Sequence, residues 1–296
     1  MTKFRSPKAQ ATHYVSQKIA FGQGRHDRQG DDRIHSVGTA RAYEQALKGV
    51  AKYQQEYRLG DLSSLTVEIA QQYLTDRSKM VAQKTLDIDR QAMQKQLGVR
   101  LKVVMSEIVT HLSTRSYTPA QVERIASAQS GRNSLSTRIA HNSGIRAHEL
   151  FTIQLANERP PSSHREWSAE RFAGREGERY TVEGKGGLVR EVLLSRDLAS
   201  QLEITRLNES RLVTDRGVNY IQKYDLAGGQ AWSQSFSAAS QRELGFTTGA
   251  HGLRHSYAQE RMEELQRRGM NYDTAKATVA QEVGHFDKET TEAYLR

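Results

Sequence analysis

The sequence predicts a mainly α protein with a small antiparallel β-sheet, arranged as two domains, and three observations carry that prediction. Apolar residues recur at three- and four-residue spacing through most of the chain from Thr39 onward. One stretch, RYTVEGKGGLVREVLLS, switches to alternation on either side of a glycine-rich turn. A Thr-Pro pair at Thr118 and Pro119 restarts a helix after a polar break at Thr114. With 296 residues and 36% hydrophobic content, the chain is long enough for two modest cores.

In TARAYEQALKGVAKYQQEYRLG the residues Ala42, Tyr43, Ala46, Leu47, Val50 and Tyr53 share one helical face, and Gly60 stops the run. SLTVEIAQQYLTDRS offers a second helix with Val67, Ala70 and Leu74 together, and VAQKTLDIDRQAMQKQLG a third that ends at Gly98. With RLKVVMSEIVTHLS these are expected to make a small all-helical domain over 39–113. The first 38 residues are polar, Gly-rich and basic, with Lys3, Arg5, Lys8, Lys18, Arg25, Arg28 and Arg33 against Asp27, Asp31 and Asp32. They read as a flexible arm, either an inert leader or a DNA contact. The second domain, 114–296, is expected to be helical through SLSTRIAHNSGIRAHELFTIQ. A hairpin follows, with Tyr180 and Val182 facing Val189, Val192 and Leu194 about GKGG, and beyond Leu198 the pattern is helical almost to the end.

A net charge of +9, with Lys and Arg spread along the chain, points to a polyanionic partner, nucleic acid first. The lack of cysteine excludes disulfides, zinc-thiolate sites and a Cys nucleophile. No apolar run approaches the roughly 20 residues that span a bilayer. The start MTKFRSPKAQATHYVSQK has no hydrophobic signal core, so a cytoplasmic protein without a membrane partner is expected. The GIRAHEL, VEGKGGLVREVLL, HGLRHSYAQ and VGHFDKETTEAYLR stretches hold no carboxylate cluster, and their basic groups supply the charge a metal would bring. There is also no G-x-x-x-x-G-K-[ST] loop, so neither a metal nor a nucleotide cofactor is expected.

Six polar residues stand in distinctive settings: Arg146 in GIRAHEL, Lys185 in VEGKGGLVREVLL, His251 and Arg254 in HGLRHSYAQ, and His285 and Tyr294 in VGHFDKETTEAYLR. Breaking a phosphodiester requires neutralising charge that builds on the non-bridging oxygens, and guanidiniums such as Arg146 and Arg254 offer paired donors that stay charged. A phenol with an ordinary pKa near 10 needs nearby positive charge and an acceptor for its proton before it can attack.

In this order and at nearly these separations, the four boxes resemble those of the tyrosine site-specific recombinases, the family of phage integrases and chromosome-dimer resolvases. The resemblance covers both domains and implies a metal- and ATP-independent enzyme that cuts and rejoins DNA. Its route would be a 3′-phosphotyrosyl link to Tyr294 and a Holliday junction. It assigns Lys185 to protonating the departing deoxyribose oxygen, His251 to managing the tyrosine proton, and His285 to bonding the phosphate beneath the nucleophile. Glu149, three residues after Arg146, is expected to orient Arg146 or a histidine. His148 and His255 match no catalytic position and are not carried over.

The same resemblance implies a clamp formed by the two domains around duplex DNA, and four protomers acting on two sites with accessory DNA-bending proteins as further partners. Arg77, Lys79, Lys84, Arg90, Lys95, Arg100 and Lys102 are expected to hold phosphates. Relatives usually continue into a docking helix past the tyrosine, whereas this sequence ends at Arg296. Coupling of subunits through residues beyond Arg296, or through another segment such as the N-terminal arm, both stay open. From a different class, a recombinase scaffold that binds DNA as a regulator without cutting it is the competing expectation.

Overall fold

Side-chain caps and left-handed glycines set the limits of most helices in a computed structural model that describes residues 6–21, 33–109, 114–184, 186–286 and 291–295. The chain divides into two units, 1–112 and 113–296, each with its own core. No helix among the described residues is long and apolar enough to cross a membrane.

The first unit contains α1 (Pro7–Ser16), α2 (Val37–Glu56), α3 (Val67–Arg77) and α4 (Gln83–Leu97). Ser36 and Thr66 cap the starts of α2 and α3 by accepting from Thr39 N and Ile69 N, and α4 ends where Gly98 turns left-handed. Leu47, Val50, Ala70, Leu74, Leu86 and Met93 meet in the core.

Two expectations are corrected here. Residues 7–16 lie within the expected flexible arm but form α1. Ser6 caps it and Pro7 occupies its first turn, Ala11 and Val15 are buried one turn apart, and the Gln10 side chain accepts from Leu62 N at 2.9 Å. Of the arm's charged residues, Lys3, Arg5, Arg25, Asp27, Arg28, Asp31 and Asp32 lie outside the described residues. Residues 101–109, expected to be helical, form no helix. Val103 and Val104 lose χ1 freedom in a helix, and side chains take over the backbone bonding instead. Gln94 Oε1 accepts from Leu101 N at 2.9 Å, Gln83 Oε1 accepts from Ser106 N at 2.8 Å, and Gln83 Nε2 donates to Val104 O at 3.2 Å.

Among the residues expected to hold phosphates, Lys79, Lys84, Arg100 and Lys102 are exposed and Lys95 is half-buried. Arg77 pairs with Asp89 at 3.3 Å and Arg90 with Asp87 at 3.2 Å.

The second unit opens with α5 (Pro119–Ser127), started by a reciprocal cap between Thr118 and Gln121, and α6 (Gly131–Ser143). Strands β1 (Gln154–Leu155), β2 (Glu178–Glu183) and β3 (Val189–Leu194) form an antiparallel sheet in that order, with Tyr180 opposite Val192. Then follow α7 (Arg196–Ile204), β4 (Arg206–Asp215), β5 (Val218–Tyr224), α8 (Gly229–Leu244), α9 (Gly252–Arg267) and α10 (Tyr272–Glu282). Ile125, Ile139, Leu150, Val192, Trp232, Phe236 and Leu253 meet in the main core.

Helix α6 stops at Ser143 rather than running on to residue 154, because Gly144 is left-handed (φ 62°); the chain re-forms only a 3-10 turn at Glu149–Phe151. The region beyond Leu198 is also not helical throughout: β4 and β5 make a second, two-stranded antiparallel sheet, so the described residues hold two small sheets instead of one. Its turn uses Arg216 (φ 51°) and Gly217 (φ 80°), two successive left-handed residues that match the twist of a tight hairpin.

Gly144 is both left-handed and close-packed, since a Cβ there would sit 2.6 Å from Tyr257 Cδ1. Gly144→Ala should therefore lower unfolding stability by about 1 to 3 kcal/mol, read as a drop in the urea midpoint at constant slope. An unchanged midpoint would show that neither the backbone conformation nor the contact is constraining.

Candidate active site

The left-handed turn at Gly144 delivers Arg146 and Glu149 to one place. Glu149 has no exposed surface. Its Oε2 accepts from Arg146 N at 2.7 Å and from Arg190 Nη2 at 2.7 Å, and its Oε1 accepts from Arg146 Nη1 at 2.8 Å. Burial alone would raise this carboxyl's pKa, but Arg190, then Arg146 and Arg254, outweigh it and hold the group well below the usual carboxylate range.

The start of α9 supplies His251, Arg254 and His255. Arg254 is 1% exposed, and its fork reaches two backbone carbonyls: Nη1 donates to Gly144 O at 2.6 Å and Nη2 donates to Val283 O. Burial and the neighbouring Arg146 pull it down to about 9, so it stays protonated at neutral pH. His251 is exposed as a residue, yet partial desolvation and the charges of Arg254, His255 and Arg115 push its pKa down to about 3.

Helix α10 ends at Glu282, and past Val283 a left-handed Gly284 (φ 73°) leads to His285. The His285 Nε2 lies 3.1 Å from Arg146 Nη2 and 3.4 Å from the Tyr294 hydroxyl. A guanidinium can only donate, so Nε2 is assigned as the bare, accepting nitrogen of a neutral ring. Partial burial, followed by Arg254, Arg146 and Arg190, holds His285 at about 4.

Tyr294 is 7% exposed and packs in a small apolar cluster with Ala258, Met262 and Val279 from α9 and α10. Arg254 Cζ lies 5.3 Å from its ring centroid, and the rings of His251, His255 and His285 lie 5.5, 4.9 and 5.6 Å away. Gln259 Nε2 donates to Tyr294 O at 3.1 Å, and His255 also bonds the Tyr294 backbone.

The structure thus brings together Arg146, Glu149, His251, Arg254, His285 and Tyr294, all from 113–296. Lys185 lies outside the described residues, but Gly184 before it is adjacent to the cluster: a Cβ at 184 would stand 3.2 Å from Glu149 Oε1 and 3.9 Å from Arg146 Nη1. Two further groups touch the site that sequence reasoning did not assign to it. His255 was set aside, and one helical step from Arg254 its only signal is adjacency. Arg190 had a clearer one: on β3 it falls in phase with Val192 and Leu194, an arginine on an inward, apolar face.

His255 and His285 are both held near 4, against an ordinary value of 6.5. Between those values the unfolded chain binds protons on these rings and the folded chain does not, so unfolding free energy rises with pH across the window and is lost on acidification from about 6.5 towards 4. Urea midpoints measured across this range should fall with pH, and replacing both histidines with Gln should reduce the fall, leaving the share that His251, held at about 3, contributes. A slope undiminished by the double substitution would assign it to other groups.

No protein-family model matches the chain, and no curated protein matches it by sequence. Solved structures do match in shape. XerH site-specific recombinase bound to palindromic difH substrate, in a post-cleavage complex, is similar at TM-score 0.57 and 15% identity, covering 98% of this chain and 90% of that one. The pre-cleavage XerH–difH complex gives 0.53 and 16%, covering 100% and 95%. The Tn1549 transposon integrase in complex with transposon right end DNA gives 0.53 and 14%, covering 98% and 95%. The chain has the fold of the tyrosine recombinases.

Proposed function

We propose that this protein is a site-specific DNA recombinase that cleaves and rejoins strands through a covalent link at Tyr294. One observation carries the reading: within one chain, the Tyr294 hydroxyl stands 3.4 Å from a neutral His285 nitrogen that Arg146 also contacts, with Arg254 beneath the tyrosine ring. A phenol, a proton acceptor and two guanidiniums therefore share a single pocket, which is what transesterification at a phosphate needs.

In the proposed reaction the Tyr294 oxygen attacks the scissile phosphorus as the phenol proton leaves to a histidine. His285 is the nearest acceptor and His251 the one the family pattern assigns. Arg146 and Arg254 neutralise charge on the non-bridging oxygens. The bond from phosphorus to the 5′-bridging oxygen breaks, Lys185 gives that oxygen its proton, and a 3′-phosphotyrosyl link remains. Rejoining reverses these transfers with an incoming 5′-hydroxyl. The guanidiniums supply the positive charge a metal would otherwise bring and the phosphotyrosine conserves the bond energy, so neither metal nor ATP enters the scheme.

Duplex DNA is the proposed partner, and XerH and Tn1549 integrase, which share the fold, were solved with DNA substrates. Arg77, Lys79, Lys84, Arg90, Lys95, Arg100 and Lys102 are the proposed phosphate contacts, so affinity should fall steeply with salt. Four protomers on two sites, a Holliday junction, accessory DNA-bending proteins and a cytoplasmic location complete the proposal.

Nicked suicide duplexes tiled across the DNA flanking the gene test it. A denaturation-resistant protein–DNA adduct that disappears in Tyr294→Phe is expected; site-specific binding without an adduct would identify a DNA-binding regulator instead. Lys185→Ala should slow adduct formation on ordinary DNA by about 100-fold or more and recover on a 5′-bridging phosphorothiolate, whose leaving group needs no proton. Absence of recovery would remove Lys185 from the acid role.

A further inference from the structure

We infer that Arg190 is a positioning residue for the cleavage proposed above, setting the register between Arg146 and His285 from behind the pocket. The inference rests on that reading of the site. Arg190 is 1% exposed and lies on the inward face of β3, in phase with Val192 and Leu194. An aliphatic side chain would fill such a slot without desolvating a charge, so packing does not account for an arginine there.

Its contacts do. Nη2 donates to Glu149 Oε2 at 2.7 Å, the same oxygen that accepts from Arg146 N at 2.7 Å. With Oε2 occupied by two donors, Glu149 offers only Oε1 to the Arg146 side chain, and Arg146 pairs through Nη1 alone at 2.8 Å. The other arm, Nη2, is left to face His285 at 3.1 Å. Without Arg190, Oε2 becomes open to that arm, and the fork-to-fork geometry that guanidinium and carboxylate prefer would draw Nη2 away from His285.

The second contact is with the turn before His285. A Cβ at Gly284 would come within 2.7 Å of Arg190 Cδ and Nε, so this left-handed glycine rests on the arginine side chain, and only glycine combines that φ with that approach. One buried side chain thus touches both arms that meet at His285 Nε2. Its Nε and Nη1 have no hydrogen-bond partner among the described residues, a cost that a merely structural arginine would be expected to avoid. The charged and titratable groups around this cluster are Arg146, His148 and Glu149 after α6, His251, Arg254 and Tyr257 at α9, and His285 and Tyr294 on the C-terminal segment.

Arg190→Met and Arg190→Lys in the full chain test this, with two readouts. On the suicide duplex that gives an adduct with the unmodified chain, Arg190→Met should slow adduct formation by about 100-fold at unchanged duplex affinity, and should move the acid limb of the rate to higher pH as Glu149 loses a cation. In a Glu149→Gln background the same change should cost much less, leaving only the share that acts through Gly284. An unaltered rate and acid limb, or an equal loss in both backgrounds, would overturn the inference. If Arg190→Met does not fold, Arg190→Lys decides, because it keeps the charge but not the planar fork: a wild-type acid limb with a rate slowed about tenfold is expected, and a wild-type rate overturns it. The second readout needs no DNA. In nitrogen-detected titrations of the histidines, the His285 midpoint should rise from about 4 in Arg190→Met; an unmoved midpoint counts against coupling. Lack of any adduct from the unmodified chain would instead sink the proposed function, leaving the titration to judge the coupling.

Discussion

A carboxylate with no exposed surface, Glu149, is the constraint to which the second unit is built. An ion buried without partners costs several kcal/mol, so the carboxylate is tolerable only while two guanidiniums and a backbone N–H are delivered to it together. Those partners come from the turn after α6 and from β3, elements separated by more than forty residues of chain. The polar cluster therefore forms only when the surrounding core has formed, and folding and assembly of the pocket are one event.

A second buried carboxylate does similar work farther back. Glu282, at the end of α10, accepts from Arg261 Nε at 2.9 Å, from the Tyr257 hydroxyl at 2.7 Å and from Phe172 N at 2.7 Å. That network ties α10 to α9 and to the loop between β1 and β2 three residues before His285. The tyrosine is secured differently: its ring lies in an apolar cluster, and its backbone carbonyl is taken up by side chains of α9. The histidine is thus placed by charge and the phenol by burial, and both rest on α9 and α10, which holds the two at hydrogen-bonding range.

How much of this was legible in the sequence varies with the range of the forces involved. Caps and periodicity are local, so α2, α3, α4, the Thr118 start and the hairpin of β2 and β3 could be read directly. The hairpin of β4 and β5 was missed because its turn, Asp215-Arg216-Gly217-Val218, lacks the usual Asn-Gly or Asp-Gly pair and puts an arginine at the first left-handed position. Helix α1 was missed because the charges around it outweighed a short Ala11–Val15 contact stripe. The 101–109 segment stays out of a helix despite its apolar content because glutamine side chains from elsewhere take up part of its backbone bonding. At the site, the boxes marked the residues that gather around Tyr294. Arg190 announced itself only through alternation along a strand, since what it does depends on a carboxylate forty-one positions away.

Arg254 carries one more lesson. By donating to Gly144 O and Val283 O, it spans the carbonyls beside two left-handed turns, one leading to Arg146 and the other to His285. The side chain is a gauge block as much as a charge: its rigid, flat fork fixes the gap between the two loops. Lysine, with a single tip and no plane, could keep the electrostatics of the pocket while losing its width. Any change in the spacing of the Arg146 and His285 loops is thereby tied to the backbone, because widening the gap means letting go of a loop.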